Sequence, residues 1–124
     1  MIIQDVQWAE IQDIPKFFDL GGASFADHKK KGIWFAKDVG GLFGAVSKTL
    51  FLSKNKARIC SIWVHPEYRR QGLATMMINH QINHAKKSGC KMISAISKER
   101  IFEKFGFVPI VQYREGSSLW IMQI

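Results

Sequence analysis

The chain has 124 residues, 47% of them hydrophobic and 23% charged, and carries a formal net charge of +8. That length suits one domain, residues 1–124, with its own core, and the composition is that of a folded globular protein rather than a disordered one. No apolar run approaches the roughly 18 residues a membrane span needs, and Met1-Ile2-Ile3-Gln4-Asp5 lacks the basic start and long apolar stretch of a signal peptide, so a soluble cytoplasmic protein is expected.

In chain order, Ile2–Gln7 alternates weakly and predicts a short first strand. Asp13-Ile14-Pro15 reads as a helix start, because Asp13 can cap and Pro15 suits the first turn. Phe17, Phe18 and Leu20 give that helix an apolar face, and Gly21-Gly22 ends it. Ser24–Lys31 is a candidate second helix whose run Asp27-His28-Lys29-Lys30-Lys31 is a solvated face. Ile33–Lys37 is a strand, Asp38-Val39-Gly40-Gly41 a turn, and Leu42–Leu52 the antiparallel return. Gly44 within it marks a bulge or a close backbone contact. A polar turn at Ser53-Lys54-Asn55-Lys56 leads to the strand Ala57–Val64.

Pro66 stops that strand, since it has no N–H to give a sheet. Beyond the basic loop a helix starts near Gln71 and runs to Ser88-Gly89. Ala74, Met77, Ile78, Ile82 and Ala85 form its apolar stripe, and Asn79, Gln81, Asn83, Lys86 and Lys87 its polar side. Lys91–Ile96 is the next strand, Ser97–Phe105 a short helix ended by Gly106, and Phe107–Arg114 with Leu119–Gln123 the final strand pair. The predicted order is β-α-α-β-β-β-α-β-α-β-β.

The chemistry concentrates between Ile62 and Thr75. A helix N-terminus presents unpaired N–H groups and a partial positive charge, and so holds an anion. Gly72 allows close approach, Ala74 is nearly as small, and Arg69 and Arg70 add planar donor arrays suited to phosphate. Together these predict a pyrophosphate cradle. Elsewhere the signals are weaker. His80 and His84 stand four apart, as two metal ligands on a helix do, but Gln81 occupies the place where a zinc protease needs a Glu base, and no third ligand is evident; no metal site is expected. Cys60 and Cys90 read as free thiols in a reducing compartment.

The spacing Arg69-x-x-Gly72-x-Ala74 resembles the acyl-CoA signature of the GNAT N-acetyltransferases, Arg/Gln-x-x-Gly-x-Gly/Ala. The run Val64-His65-Pro66-Glu67-Tyr68-Arg69-Arg70 is also similar to that family. Phe102-Glu103-Lys104-Phe105-Gly106-Phe107 resembles its later Tyr-Glu-Lys-x-Gly-Phe element. The resemblance implies an α/β (α+β) fold: a mixed, mostly antiparallel sheet flanked by helices, with a splayed parallel strand pair. It implies an N-acetyltransferase that moves an acetyl group from acetyl-CoA, as co-substrate, to a primary amine of a small molecule or protein. Ile62, Trp63 and Val64 would offer backbone to the pantetheine arm, where Ala57–Val64 splays from Lys91–Ile96. The amides of Gln71, Gly72, Leu73, Ala74 and Thr75 would take the pyrophosphate, with Arg69 and Arg70 neutralising its charge. A backbone N–H at Val64 or its neighbour would face the oxyanion.

The catalytic acid departs from the pattern, because Phe102 stands where many members carry a proton-giving Tyr. Tyr113 and Ser97 are weak candidates for that role, and Glu67 for general base; Glu103 and Lys104 read as a solvated face. The acceptor site falls to the first two helices, the strands near Trp34, and the last strand pair with Tyr113 and Trp120. Two alternatives stay open. One is a catalytically weak acyl-CoA-binding module, suggested by Phe102. The other is a nucleic-acid-associated transferase, suggested by eighteen Lys and Arg against ten Asp and Glu. Monomer and homodimer are both compatible, the latter through an exposed final strand.

Overall fold

The computed structural model describes residues 3–14 and 31–124. One mixed sheet of seven described strands runs in the order β1-β2-β3-β4-β5-β7-β6. Its strands are β1 (Ile3–Val6), β2 (Gly32–Val39), β3 (Leu42–Ser53), β4 (Lys56–Val64), β5 (Met92–Ser97), β6 (Val108–Gln112) and β7 (Ser118–Gln123). Every neighbouring pair is antiparallel except β4 and β5, which run parallel. A parallel pair needs a crossover, and the helix α2 (Leu73–Lys87) supplies it. Around α2 lie two 3₁₀ segments, Pro66–Tyr68 and Arg100–Phe105. The expected mixed sheet with one parallel pair is therefore present.

Local chemistry explains most boundaries. The β2–β3 turn uses Gly40 and Gly41, both with positive φ (61° and 88°), and Asp38 Oδ1 accepts the Gly41 N–H at 2.9 Å. Two positive φ values in a two-residue loop match the twist of the strands it joins. Gly44 combines both expectations: the ladder slips between Lys37 and Asp38 opposite it, and a Cβ at Gly44 would meet Val39 Cγ2 at 2.6 Å. The segment from Ser97 to Phe105 is a 3₁₀ turn confined to Arg100–Phe105, shorter and tighter than the expected helix, and Gly106 at φ 96° closes it.

Two expectations are corrected. A one-turn helix, α1 (Trp8–Ile11), precedes the predicted start at Asp13, with the Gln7 N–H donating to Glu10 Oε2 at 2.6 Å; a capping glutamate three residues on is its signature. The helix expected from Asp13 onward, and the second over Ser24–Lys31, lie largely outside the described residues. Gln81 is not on a solvated face. It is fully buried between α2 and β3, where its Nε2 donates to Thr49 Oγ1 at 3.0 Å.

Alternation along β2 and β3 splits the core into two faces. On one side, Trp34, Ala36, Val46 and Trp63 pack with Val6 and Ile11. On the other, α2 covers the sheet: Leu73 and Met77 against Phe35 and Ala45, and Ile78, Ile82 and Ala85 against Ala57, Ile59, Ile93 and Ala95. Two lysines, Lys37 and Lys48, are almost wholly buried in this apolar setting. Lys48 Nζ lies 5.3 Å from the centre of the Trp34 ring, a cation–π contact that partly replaces lost water.

Candidate acyl-CoA site

The register of the parallel pair builds the site. β4 and β5 are paired only from Lys56 with Met92 to Ile59 with Ala95. Past that point β4 continues to Val64 alongside β3 alone, its other edge without a strand partner among the described residues. The strands diverge as a V. Two clefts that share Ile62, Ala74, Glu99 and Ile101 occupy the opening.

The first cleft holds about 680 Å³ and brings together nine of the ten residues expected to bind the cofactor: Ile62, Trp63, Val64, Arg69, Arg70, Gly72, Leu73, Ala74 and Thr75. Gln71 does not line it. Its Nε2 instead donates to the Glu67 carbonyl at 3.4 Å, which braces the turn. Arg69 Nε donates to the Val64 carbonyl at 3.0 Å, fixing the guanidinium against the end of β4. Arg70 adopts φ 65°, a left-handed conformation unusual for a side chain with a Cβ. Such strain is held where the surroundings over-determine it, and it concentrates at functional sites.

Gly72 caps α2 at φ 79°, with no atom within 4 Å of where a Cβ would project. The first N–H to close on the helix is that of Met76, to the Gly72 carbonyl at 3.0 Å. The N–H groups of Gly72, Leu73, Ala74 and Thr75 therefore belong to the open first turn, where the helix supplies no partners. The donor set fits an anionic group: amides at a helix N-terminus, two arginines, and space where a side chain is missing.

The second cleft, about 640 Å³, is lined mainly by apolar side chains from Ile59, Ile62, Ile78, Ile96, Ile101 and Phe102, with Cys60, Ser97, Lys98 and Glu99 adding polar groups. Phe102 is buried and packs edge-on to Phe107, 5.2 Å between ring centres. It serves the core and the cleft wall at once. Of the weak catalytic candidates, Ser97 lines this cleft. Glu67 and Tyr113 line neither. Glu67 is exposed on the 3₁₀ turn, its N–H donating to His65 Nδ1 at 3.1 Å. Tyr113 is exposed beyond β6, its N–H donating to the Ser117 carbonyl.

Sequence reasoning missed Glu99, Ile101 and Lys104. Ile101 and Lys104 are three apart on a 3₁₀ turn, where such residues eclipse and share a face; that spacing was the available signal. Lys104 is not a merely solvated charge. It lines the first cleft and its Nζ donates to Thr75 Oγ1 at 2.7 Å, across to the start of α2. Glu103 does face solvent, in an ion pair with Arg100 at 2.8 Å. Trp34 and Trp120, on the strands expected near the acceptor, are core side chains as tryptophans more often are, and the Trp120 Nε1–H donates to the Ser97 carbonyl at 3.2 Å. His80 and His84 pack steeply inclined to the Phe35 ring, with ring centres 4.8 and 5.2 Å away. Among the described residues no group of three or more His, Cys, Asp or Glu is placed to hold a metal ion. No described helix is long and apolar enough to cross a membrane.

A strand pair that parts to admit a ligand, with a phosphate-type helix terminus at its mouth, defines an acyl-CoA-dependent transferase fold. The model of the acetyltransferase (GNAT) family matches residues 3–107, and the chain belongs to that family. Its chemistry is acyl transfer, with an acyl-CoA as co-substrate. Among curated proteins no sequence match was found. Solved structures agree on the fold at low identity. An IAA acetyltransferase from Bacillus cereus superposes with a TM-score of 0.81 at 15% identity, over 99% of this chain and 99% of that one. A Mycobacterium tuberculosis protein solved in complex with CoA and NLQ gives 0.80 at 10% identity, over 100% and 99%. The ribosomal-protein-S18-alanine N-acetyltransferase of Escherichia coli gives 0.77 at 18% identity, over 99% and 92%.

Proposed function

We propose that this protein binds acetyl-CoA in the V between β4 and β5 and transfers the acetyl group to a primary amine. The observation that carries the reading is the loss of pairing after Ile59 and Ala95, with the resulting opening leading to the first turn of α2. Arg69, Arg70 and the amides of Gly72, Leu73, Ala74 and Thr75 hold the pyrophosphate. The free edge of β4 at Ile62, Trp63 and Val64 pairs with the pantetheine amides, and the thioester end lies in the apolar second cleft. Holding the thioester beside the amine turns a bimolecular encounter into a local one. The apolar walls strengthen every hydrogen bond made inside.

The acceptor is an amine on a neutral or acidic molecule, or on a protein. A net charge of +8 works against cationic acceptors. Calorimetric titration with acetyl-CoA tests the reading, comparing the parent with Arg69→Ala/Arg70→Ala. We expect the double variant to bind about 100-fold to 10,000-fold more weakly, since each charge-assisted contact to phosphate contributes about 1.5–3 kcal/mol and two are removed. Equal affinity would place the phosphates elsewhere. A second reading, an acyl-CoA-binding module with little turnover, is favoured by Phe102, which puts no proton donor into the cleft wall. Release of free CoA on mixing acetyl-CoA with amine panels separates the two.

A further inference from the structure

The second cleft is lined by four side chains with polar atoms, Cys60, Ser97, Lys98 and Glu99, and the Cys60 thiol is a weak donor. Lys98 and Glu99 are exposed at the rim, and Phe102 has nothing to give. Ser97 is half-buried and held from two sides. Its carbonyl accepts the indole N–H of the buried Trp120 at 3.2 Å, which pins the end of β5. Its Oγ accepts the backbone N–H of Glu99 at 3.0 Å. A hydroxyl has two lone pairs and one proton. Accepting from Glu99 orients the oxygen and leaves the O–H as a donor.

We propose that Ser97 donates a hydrogen bond to the sulfur of the bound acyl-CoA and stabilises the thiolate as it leaves, the task that a Tyr at position 102 would otherwise perform. This rests on the thioester end occupying the second cleft. In the step, the amine nitrogen forms a bond to the carbonyl carbon and the C–S bond breaks, its electron pair going to sulfur. The nitrogen releases a proton to water, and the thiolate takes one from water. Ser97 keeps its own proton throughout and lowers the energy of the developing charge. Pre-aimed donors of this kind act where charge appears, with no reorganisation needed.

The thiol of CoA itself reports the contact without any acceptor. CoA is bound to the parent, to Ser97→Ala and to Ser97→Thr, and thiolate absorbance is followed against pH as a difference from protein alone. Desulfo-CoA titrations measure binding independently of sulfur. We expect desulfo-CoA to bind all three alike. In the parent and the Thr variant the CoA thiol should titrate about one pH unit lower than in the Ala variant, a tenfold shift in the thiolate equilibrium. A merely structural serine would not move that value. Binding to all three with the same thiol pKa would overturn the assignment and leave the cleft reading intact. Failure of the parent to bind either CoA or desulfo-CoA would overturn both.

Discussion

Gly72→Glu tests the cradle most directly, because the structure separates its two effects. The residue sits at φ 79°, so any side chain is strained there, while no protein atom lies within 4 Å of the new Cβ. The folding penalty is therefore backbone strain alone, about 1–2 kcal/mol for a left-handed residue with a Cβ. The binding penalty is electrostatic. A carboxylate at the cap of α2 would lie about 6 Å from a pyrophosphate, and at an effective dielectric of about 40 each phosphate charge adds about 1.4 kcal/mol of repulsion. Two charges give about 3 kcal/mol, or about 100-fold in affinity. Gly72→Ala carries the same strain without the charge and should lose far less. Thermal melting reads the first effect and acetyl-CoA calorimetry the second. A folded Glu variant binding acetyl-CoA within about threefold of the parent would refute the placement of phosphate at this helix terminus.

Other outcomes follow from the geometry. Phe102→Tyr should change turnover by less than about threefold if Ser97 already serves the leaving group, whereas a gain of about 100-fold would show that an acid was missing. Gln81→Ala should cost about 2–4 kcal/mol on denaturant unfolding, because it opens a cavity beneath α2 and strands the Thr49 hydroxyl. Lys37 is 1% exposed and its Nζ has no hydrogen-bond partner among the described residues; Lys37→Met should raise the melting temperature by a few degrees, about 1 kcal/mol or more in stability. His80 has its pKa lowered, chiefly by burial and then by His84, with Lys87 acting the same way and Asp5 opposing. The unfolded chain then binds more protons than the folded one, so this contribution is present above the unfolded pKa and is lost as pH falls through it toward the folded value. His80→Phe should flatten the melting temperature between neutral and mildly acid pH.

How much of this was legible depends on the range of the interactions. Gly40-Gly41, Pro66 and Gly106 act on their own backbone, and each marked its boundary where the structure has it. Arg69, Gly72 and Ala74 are tied by a spacing that a helix start converts directly into a face. Gln81 failed for the opposite reason. Its polarity suggested solvent, but its partner Thr49 is thirty-two residues away on another element, and only tertiary packing brings them together. Lys104 was misread for the same reason, because the hydroxyl it meets on Thr75 is twenty-nine residues distant.

The same distinction bears on the reaction. The proposed donor site is encoded locally, in a strand end, a loop and a helix start that succeed one another between Ile59 and Thr75. The groups that would face the thioester in the proposed site come from the far arm of the V, where β5 ends and the 3₁₀ turn begins. Their position depends on Trp120 holding Ser97 from the last strand and on Lys104 reaching back to Thr75. A change in β7 therefore reaches the second cleft through the β5–β7 ladder, in which Ser97 pairs with Ser118, and through one indole hydrogen bond. Trp120→Phe keeps the ring in the core and removes that bond alone. It should leave desulfo-CoA affinity unchanged and raise the thiol pKa of bound CoA part of the way toward the Ser97→Ala value. An unchanged thiol pKa would mean that Ser97 is oriented by Glu99 and the β5–β7 ladder without the indole.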